Sequence, residues 1–164
     1  MRSGTGNDRE VDDNNRFGFE YDPSRFQQFL GALVPQRLSR RGTKITVRAD
    51  RDRLSPGEPL PFRVVIRNRL PFPIELQTDR GSLWGWDIDG VPEGREDAVR
   101  HDDTASFSLR SNERVTVERE WNGRFRRTSG GRARWEAPTP GTHELAVYLN
   151  IPGRPRDSVN FEVY

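Results

Sequence analysis

From residue 44 to the C-terminus, apolar and polar side chains alternate with a period of two in a series of short segments. In LPFRVVIRN, for example, the alternation places Phe62, Val64 and Ile66 on one face of an extended chain. Gly and Pro turns separate the segments, and no helical period lies between them. The pattern predicts an all-β fold, an immunoglobulin-like antiparallel β-sandwich of seven or eight strands. The segments are KITVRAD, LPFRVVIRN, PIELQT, SLWGWDIDG, TASFSLR, RVTVEREW, THELAVYLN and SVNFEVY.

The N-terminal part of the chain follows a different pattern, and a total of 164 residues fits one domain plus an appendage. Residues 1–16 are rich in Asp, Asn and Gly and hold few apolar side chains, so we predict a disordered tail. Residues 17–43 are predicted to form a short amphipathic helix and a linker. The β-sandwich domain then covers residues 44–164.

The predicted N-terminal helix carries an apolar stripe at helical spacing. Asp22 is expected to cap it, Pro23 to lie in its first turn and Pro35 to end it. Such a stripe must be buried against another surface. Three alternatives are open: the helix packs on its own sandwich, docks in the groove of a partner or lies on a membrane surface. The arginines after Pro35 suit a helix exit or a solvated linker. The helix interaction face consists of Phe26, Phe29, Leu30, Leu33 and Val34.

The residue types present exclude several kinds of chemistry. The chain has no Cys, which excludes disulfides and thiolate metal sites. No segment resembles a signal peptide, and none approaches the roughly 20 apolar residues of a membrane span, so a soluble, cytoplasmic protein is expected. Motifs for nucleophilic, phosphate or zinc chemistry are missing, and His143 is expected at the surface where a strand begins. We therefore expect no enzyme, no cofactor and no metal site.

Positive charge concentrates in WNGRFRRTSGGRARW, residues 121–135, which contains no acidic residue. Arginine forks match phosphate and carboxylate groups, and Trp121 and Trp135 can stack on bases or on guanidinium planes. One hypothesis for this combination is a binding site. The alternative is a polar hairpin that turns at residues 129–131, with arginines toward water and aromatic rings toward the core. The candidate binding arginines are Arg124, Arg126, Arg127, Arg132 and Arg134.

Negative charge concentrates in VPEGREDAVRHDD, residues 91–103. Its spacing matches no calcium-binding loop, so a solvated loop is expected there. An acidic loop on one copy that meets an arginine loop on another would allow self-association. Trp84 and Trp86 alternate in phase with Ile88, which favours a place in the core over an exposed aromatic platform.

Several features of the sandwich region occur in an order that resembles a known family. One strand ends in Asn68, an aromatic strand runs into Asp89 and Gly90, a third carries Phe and then Leu, and a fourth ends in Trp121. A Pro-Gly turn precedes the penultimate strand. Over residues 44–164 this order resembles the BsuPI-like intracellular proteinase inhibitor domains and their immunoglobulin-like relatives. The resemblance implies the sandwich fold and an inhibitor-like contact with a protein.

These observations predict a non-catalytic protein-binding module, regulatory or inhibitor-like, whose loops or edge strands contact an unidentified protein partner. The alternative hypothesis is a nucleic-acid or ribonucleoprotein-associated factor that contacts phosphates through the arginine-rich loop 124–134. Salt separates the two hypotheses, because phosphate contacts by several arginines weaken steeply as salt rises, whereas an apolar protein interface does not.

Overall fold

The computed structural model describes residues 9–10, 35–78, 81–93, 105–129 and 132–164. These residues form thirteen strands and one short helix, so the predicted all-β class is confirmed. In chain order the elements are β1 (Arg9–Glu10), α1 (Gln36–Gly42), β2 (Thr43–Ala49), β3 (Arg53–Leu54), β4 (Leu60–Asn68), β5 (Ile74–Thr78), β6 (Trp84–Ile88), β7 (Val91–Glu93), β8 (Ala105–Leu109), β9 (Arg114–Trp121), β10 (Phe125–Ser129), β11 (Arg132–Glu136), β12 (Gly141–Leu149) and β13 (Arg156–Val163).

The strands form two larger sheets and two separate pairs. The first sheet has the order β1-β9-β4-β2, and the second has the order β3-β13-β12-β6-β7. β5 pairs with β8, and β10 pairs with β11, both antiparallel. The eight alternating segments of the sequence correspond to β2, β4, β5, β6, β8, β9, β12 and β13. The additional described strands are either two or three residues long or belong to the β10–β11 pair.

The two larger sheets form a β-sandwich because each long strand turns alternate side chains inward. On β12, every second residue from His143 to Leu149 is buried. Burial of these side chains draws the sheets together, at roughly 25 cal/mol for each Å² of apolar surface removed from water. The inward residues of β4 are Leu60, Phe62, Val64, Ile66 and Asn68.

Two polar side chains connect segments that the sheet hydrogen bonds leave separate. The buried amide of Asn68 donates to the carbonyl oxygens of Phe72 at 2.9 Å and Arg110 at 2.8 Å. It thereby joins the end of β4 to the turn that precedes β9. At the edge of the sandwich, the N–H of Val47 on β2 donates to the carboxylate of Asp157 on β13 at 2.9 Å. This bond links the first sheet to the second.

The structure differs from the prediction just before the sandwich. The predicted linker contains helix α1, Gln36–Gly42, which Pro35 precedes; the helix that the sequence predicts before Pro35 lies outside the described residues. A proline fits there because its missing N–H is one that a helix start leaves unbonded. The Pro35 carbonyl accepts the N–H of Leu38 at 2.8 Å. At the other end, the hydroxyl of Thr43 donates to the carbonyl of Ser39 at 2.8 Å.

Most of the other N-terminal predictions lie outside the described residues. Within the tail that is predicted to be disordered, Arg9–Glu10 form β1, which pairs in parallel with β9 in the register Arg9↔Val115. No helix in the described ranges is long and apolar enough to cross a membrane. The predicted helix interaction face, Phe26, Phe29, Leu30, Leu33 and Val34, lies outside the described residues.

Candidate functional site

The arginine-rich segment forms a two-stranded ribbon that follows the first sheet. β9 ends at Trp121, a turn follows, and β10 and β11 then pair antiparallel in the register Arg127↔Arg134. In the described part of the chain, neither strand pairs with a third one. We call Arg124, β10 and β11 the arginine ribbon. The hairpin that the sequence offers for this segment is therefore present.

The root of the arginine ribbon belongs to the hydrophobic core. Trp121 is 1% exposed and lies 5.3 Å from the buried ring of Phe125 and 5.7 Å from Phe161, measured between ring centroids. On β9 it has the same parity as the buried residues Val115 and Val117, so the alternation of the strand turns its ring inward. Trp121 is therefore a core residue instead of the binding residue that the sequence predicts.

A tight turn fixes the direction in which the ribbon leaves the sandwich. Gly123 has a φ of 73°, and a Cβ at this position would lie 2.3 Å from the carbonyl oxygen of Glu58. Only a glycine fits so close an approach between two backbone segments. The side chain of Asn122 accepts the N–H of Arg124 at 2.9 Å, and the Glu58 carboxylate accepts the N–H of Ser55 at 2.9 Å. Both sides of the contact are thus held in place.

The ribbon presents different side chains on its two faces. Arg126 lies opposite Trp135 in the register, so these two residues share one face. Arg127 and Arg134 lie opposite each other on the other face. Trp135 is 47% exposed, and its role as a contact residue stays a prediction. The predicted binding arginines whose side chains are described are all exposed, and they are Arg124, Arg126, Arg127 and Arg134.

The ribbon brings like charges together. Directly opposed like charges on paired strands destabilise a sheet, and Arg127 faces Arg134. The Nε of Arg127 lies 3.6 Å from Oε2 of Glu136, and both side chains are about half exposed, so this pair contributes about 0–1 kcal/mol. Arg132 pairs through its backbone with Ser129, next along the ribbon. An anionic partner would neutralise this surplus of positive charge.

His143, which the sequence predicts at the surface, is buried at 8% exposure beside the root of the ribbon. Its Nδ1 lies 2.6 Å from Oδ2 of Asp89, and its Nε2 lies 2.7 Å from the carbonyl oxygen of Thr139. Both partners are acceptors, so these contacts favour the protonated ring, in which both nitrogens donate. Burial acts to lower the pKa of His143, but the hydrogen bonds to Asp89 and Thr139, with the charge of Asp89, outweigh it and raise the pKa.

The His143 ring also packs against the ribbon root. It stacks on Phe161 at a centroid distance of 5.6 Å and lies 6.4 Å from Phe125 of β10. Because both ring nitrogens are engaged, this imidazole has no free nitrogen for proton transfer with a substrate. The side chain therefore supports the ribbon, and its inward position follows the parity of Leu145 and Val147 on the same strand.

The remaining candidate positions lie away from the ribbon or outside the described residues. Of the acidic segment 91–103, only Val91–Glu93 are described, and burial raises the pKa of Glu93 to about 7. Trp84 and Trp86 are half-buried and pack against the core, with Trp86 5.0 Å from Phe62. In the described ranges, no three His, Asp or Glu side chains gather closely enough to hold a metal ion.

A second cluster of arginines lies in the segment that the sequence assigns to a helix exit or a solvated linker. Arg37, Arg40 and Arg41 lie on α1 and line a cleft together with the turn between β12 and β13. Their spacing of three and four residues is the pattern of a single helix face. No apolar stripe accompanies this spacing, so the segment is predicted as a linker.

Comparison with known proteins identifies a family. A family model described as a family of unknown function (DUF7974) matches residues 31–164, so the match includes α1 as well as the sandwich. No match to a curated protein was found. The matched family is not the BsuPI-like inhibitor family that the sequence resembles. The sandwich fold implied by that resemblance is present, but the BsuPI-like assignment is not confirmed.

Several solved structures are similar to this chain. The crystal structure of the CARDB domain of the PF1109 protein from Pyrococcus furiosus has a TM-score of 0.47 at 8% identity, over 74% of this chain and 91% of that chain. The sporulation control protein Spo0M from Bacillus subtilis has a TM-score of 0.43 at 14% identity, over 74% and 49%. A beta-glucosidase from Listeria innocua has a TM-score of 0.41 at 17% identity, over 74% and 16%.

Proposed function

The chain belongs to the family of unknown function DUF7974, and we propose that it is a non-catalytic protein-binding module whose arginine ribbon holds an extended acidic segment of a partner. One observation carries this proposal. The ribbon exposes arginines on both faces, and within the described residues both of its outer strand edges lack a neighbour. A strand that adds to such an edge gains main-chain hydrogen bonds, while its side chains reach the arginines.

The side chains of the ribbon are of the types that dominate binding at protein interfaces. Arg and Trp are enriched among the residues whose truncation weakens protein complexes most. On one face Arg126 and Trp135 are neighbours, and the exposed indole is apolar surface that a partner would remove from water. On the other face, a carboxylate placed near both Arg127 and Arg134 would replace their repulsion by two charge-assisted contacts.

The spacing of the ribbon defines the partner more closely. Side chains on one face of a strand repeat about every 6.8 Å, which is two residues at about 3.4 Å each. Carboxylates at alternate positions of an extended peptide would therefore all face the side of Arg127 and Arg134. Each opposite-charge pair across neighbouring strands contributes about 0.2–1 kcal/mol. An acidic segment with alternating carboxylates fits better than one with a continuous acidic run.

The charges elsewhere favour a protein segment over a nucleic acid. The formal net charge is only +2. On the sheets, exposed arginines lie beside carboxylates, with Arg63 2.6 Å from Glu118 and Arg156 2.8 Å from Glu144. Nucleic-acid surfaces carry positive charge over a tract that neutralises several phosphates. A ribbon of two five-residue strands suits a short acidic peptide.

The test compares two fluorescent ten-residue peptides of equal composition, one alternating Glu and Val and one with its Glu residues in a single block. We expect the alternating peptide to bind at least tenfold more tightly, measured by fluorescence anisotropy at 0.15 M salt. Arg127→Glu with Arg134→Glu should weaken that binding at least tenfold. The matched control, Arg48→Glu with Arg67→Glu, changes the charge equally at exposed positions of the first sheet and should stay within threefold.

Two results would contradict the proposal. An equal loss in both double variants would mean that the peptide responds to overall charge and not to the ribbon. A single-stranded oligonucleotide that binds the ribbon more tightly than the peptide, with an affinity that falls steeply as salt rises, would support the nucleic-acid alternative instead.

A further inference from the structure

A cleft at the other end of the sandwich carries the second set of arginines. Helix α1 leads into β2 at Thr43, which pairs with Asn68 at one end of β4. The arginine ribbon follows Trp121, which pairs with Leu60 at the opposite end of β4. The cleft and the ribbon are therefore separate sites. We propose that this cleft binds a small anion that carries two adjacent phosphate groups.

The cleft is a small, shaped space between α1 and the turn that joins β12 to β13. Its volume is about 270 Å³, and Pro152, Gly153 and Pro155 form one wall. The turn is closed by a hydrogen bond from the N–H of Arg154 to the carbonyl of Ile151 at 2.9 Å. Proline restricts the backbone, so this wall is in place before a ligand arrives.

The other wall consists of Arg37, Arg40 and Arg41 of α1. Like charges at these helical spacings repel one another. The first turn of α1 contains no acidic residue, and Arg37 lies near the helix end where positive charge is unfavourable. In the described part of the chain, none of the three forms an ion pair with a carboxylate. α1 thus gathers three positive charges that no carboxylate of the described residues neutralises.

Arg40 gives the most specific indication of a ligand. Its Nε is buried from solvent and has no hydrogen-bond acceptor among the described residues. A buried donor without an acceptor keeps the full cost of its lost hydration. Arg40 also lines the cleft. A rotation of its side chain that turns the guanidinium fork toward the cleft would give this nitrogen a phosphate oxygen as acceptor, together with a second, parallel bond to the same phosphate.

The number of arginines and the volume define the class of anion. A carboxylate carries one negative charge and a phosphate monoester about 1.5 to 2, which is less than three guanidinium groups can neutralise. Two linked phosphates match the three charges better. The volume lies just below the roughly 300 Å³ at which sites for whole small molecules begin. The cleft therefore fits a diphosphate group, either free or as the end of a larger molecule that extends into solvent.

The test is isothermal titration calorimetry of the full chain with pyrophosphate, orthophosphate and sulfate at constant ionic strength. We expect saturable binding of one pyrophosphate, at least tenfold tighter than either of the other anions. Arg40→Gln should weaken it at least tenfold, and Arg40→Lys should restore only part of the loss because a lysine lacks the fork. Circular dichroism and thermal unfolding of each variant would show that the fold is retained.

Charge-matched controls separate this site from the ribbon. Arg37→Gln with Arg41→Gln should weaken pyrophosphate binding at least tenfold, whereas Arg127→Gln with Arg134→Gln removes the same charge from the ribbon and should change it less than twofold. Loss of binding in the ribbon variant with retention in the cleft variants would overturn the proposal. So would wild-type protein that shows no saturable binding, or that binds sulfate as tightly as pyrophosphate.

Discussion

His143 makes the stability of the sandwich depend on pH. Its hydrogen bonds to Asp89 and Thr139 raise the pKa in the folded state above the ordinary value near 6.5. The folded state therefore binds more protons, so the stabilisation is complete below about pH 6.5 and is lost as the pH rises through the folded-state pKa. We expect His143→Gln to lower the free energy of unfolding by about 2 kcal/mol at pH 6. In urea unfolding, this difference should shrink toward pH 9.

Glu93 also makes stability depend on pH, in a range close to that of His143. Comparing the wild type with His143→Gln removes the contribution of Glu93. Burial raises the pKa of Glu93 from 4.5 to about 7, so its neutral form adds stability that is lost between those two values. This loss occurs in the wild type and in His143→Gln alike and cancels in their difference. Parallel stability curves of the two proteins from pH 6 to pH 9 would show that the imidazolium does not stabilise the fold.

At the level of the turns, two glycines have similar backbone angles but different surroundings. Substituting each of them distinguishes the cost of backbone strain from the cost of a steric clash. Gly90, in the turn between β6 and β7, has a φ of 75° and no atom within 4 Å of an added Cβ. Gly123, at the ribbon root, has a φ of 73°, and an added Cβ would lie 2.3 Å from the carbonyl of Glu58. We expect Gly90→Ala to cost about 1–2 kcal/mol and Gly123→Ala more than about 3 kcal/mol in urea unfolding.

The difference between these variants tests how the ribbon is held. In Gly123→Ala the backbone must move away from the loop between β3 and β4, so the variant should also bind the alternating peptide more weakly than Gly90→Ala does. Equal destabilisation by the two substitutions would mean that the ribbon root does not rest on Glu58.

At the level of strands, the sequence predicted the elements that bury one face. A period of two is the direct consequence of a half-buried strand; β4 shows it along its whole length, and β12 shows it from His143 onward except at the buried Ala146. β1 and β3 have two residues each, from which no period can be recognised. α1 has no apolar stripe either. It is held partly by a distant contact, from the amide of Gln36 to the carbonyl of Glu75 at 3.3 Å.

For two residues of the candidate site, the alternation along the strand predicts the position better than the residue type does. Trp121 has the parity of Val117, and His143 has the parity of Leu145, so both positions face the core. Their aromatic and polar character favoured a surface interpretation. By contrast, the pairing of Arg127 with Arg134 depends on the hairpin register. Register follows from turn geometry, and the run Ser129, Gly130, Gly131 allows several turns.

At the level of the whole molecule, the sandwich keeps two positive surfaces apart. They lie beyond opposite ends of β4, a strand of nine residues, which corresponds to roughly 25–30 Å at about 3.3 Å per residue. The Debye length is about 8 Å at physiological ionic strength. Charge at one end is therefore almost fully screened from the other. Any communication between the two ends would have to pass through the packed sheets.

We therefore expect the ribbon and the cleft to bind their ligands independently. Saturating pyrophosphate should change the affinity of the alternating acidic peptide less than twofold at constant ionic strength. When Arg127→Glu and Arg134→Glu are combined with Arg37→Gln and Arg41→Gln, the changes in unfolding free energy should add within about 0.5 kcal/mol, as for distant sites without shared contacts.

A larger effect of pyrophosphate that persists in the Arg37→Gln, Arg41→Gln variant would place both anions on the ribbon. An effect that disappears in this variant would mean that the cleft and the ribbon bias a common conformational change of the sandwich, because coupling between two binding sites requires a state that both ligands favour or disfavour.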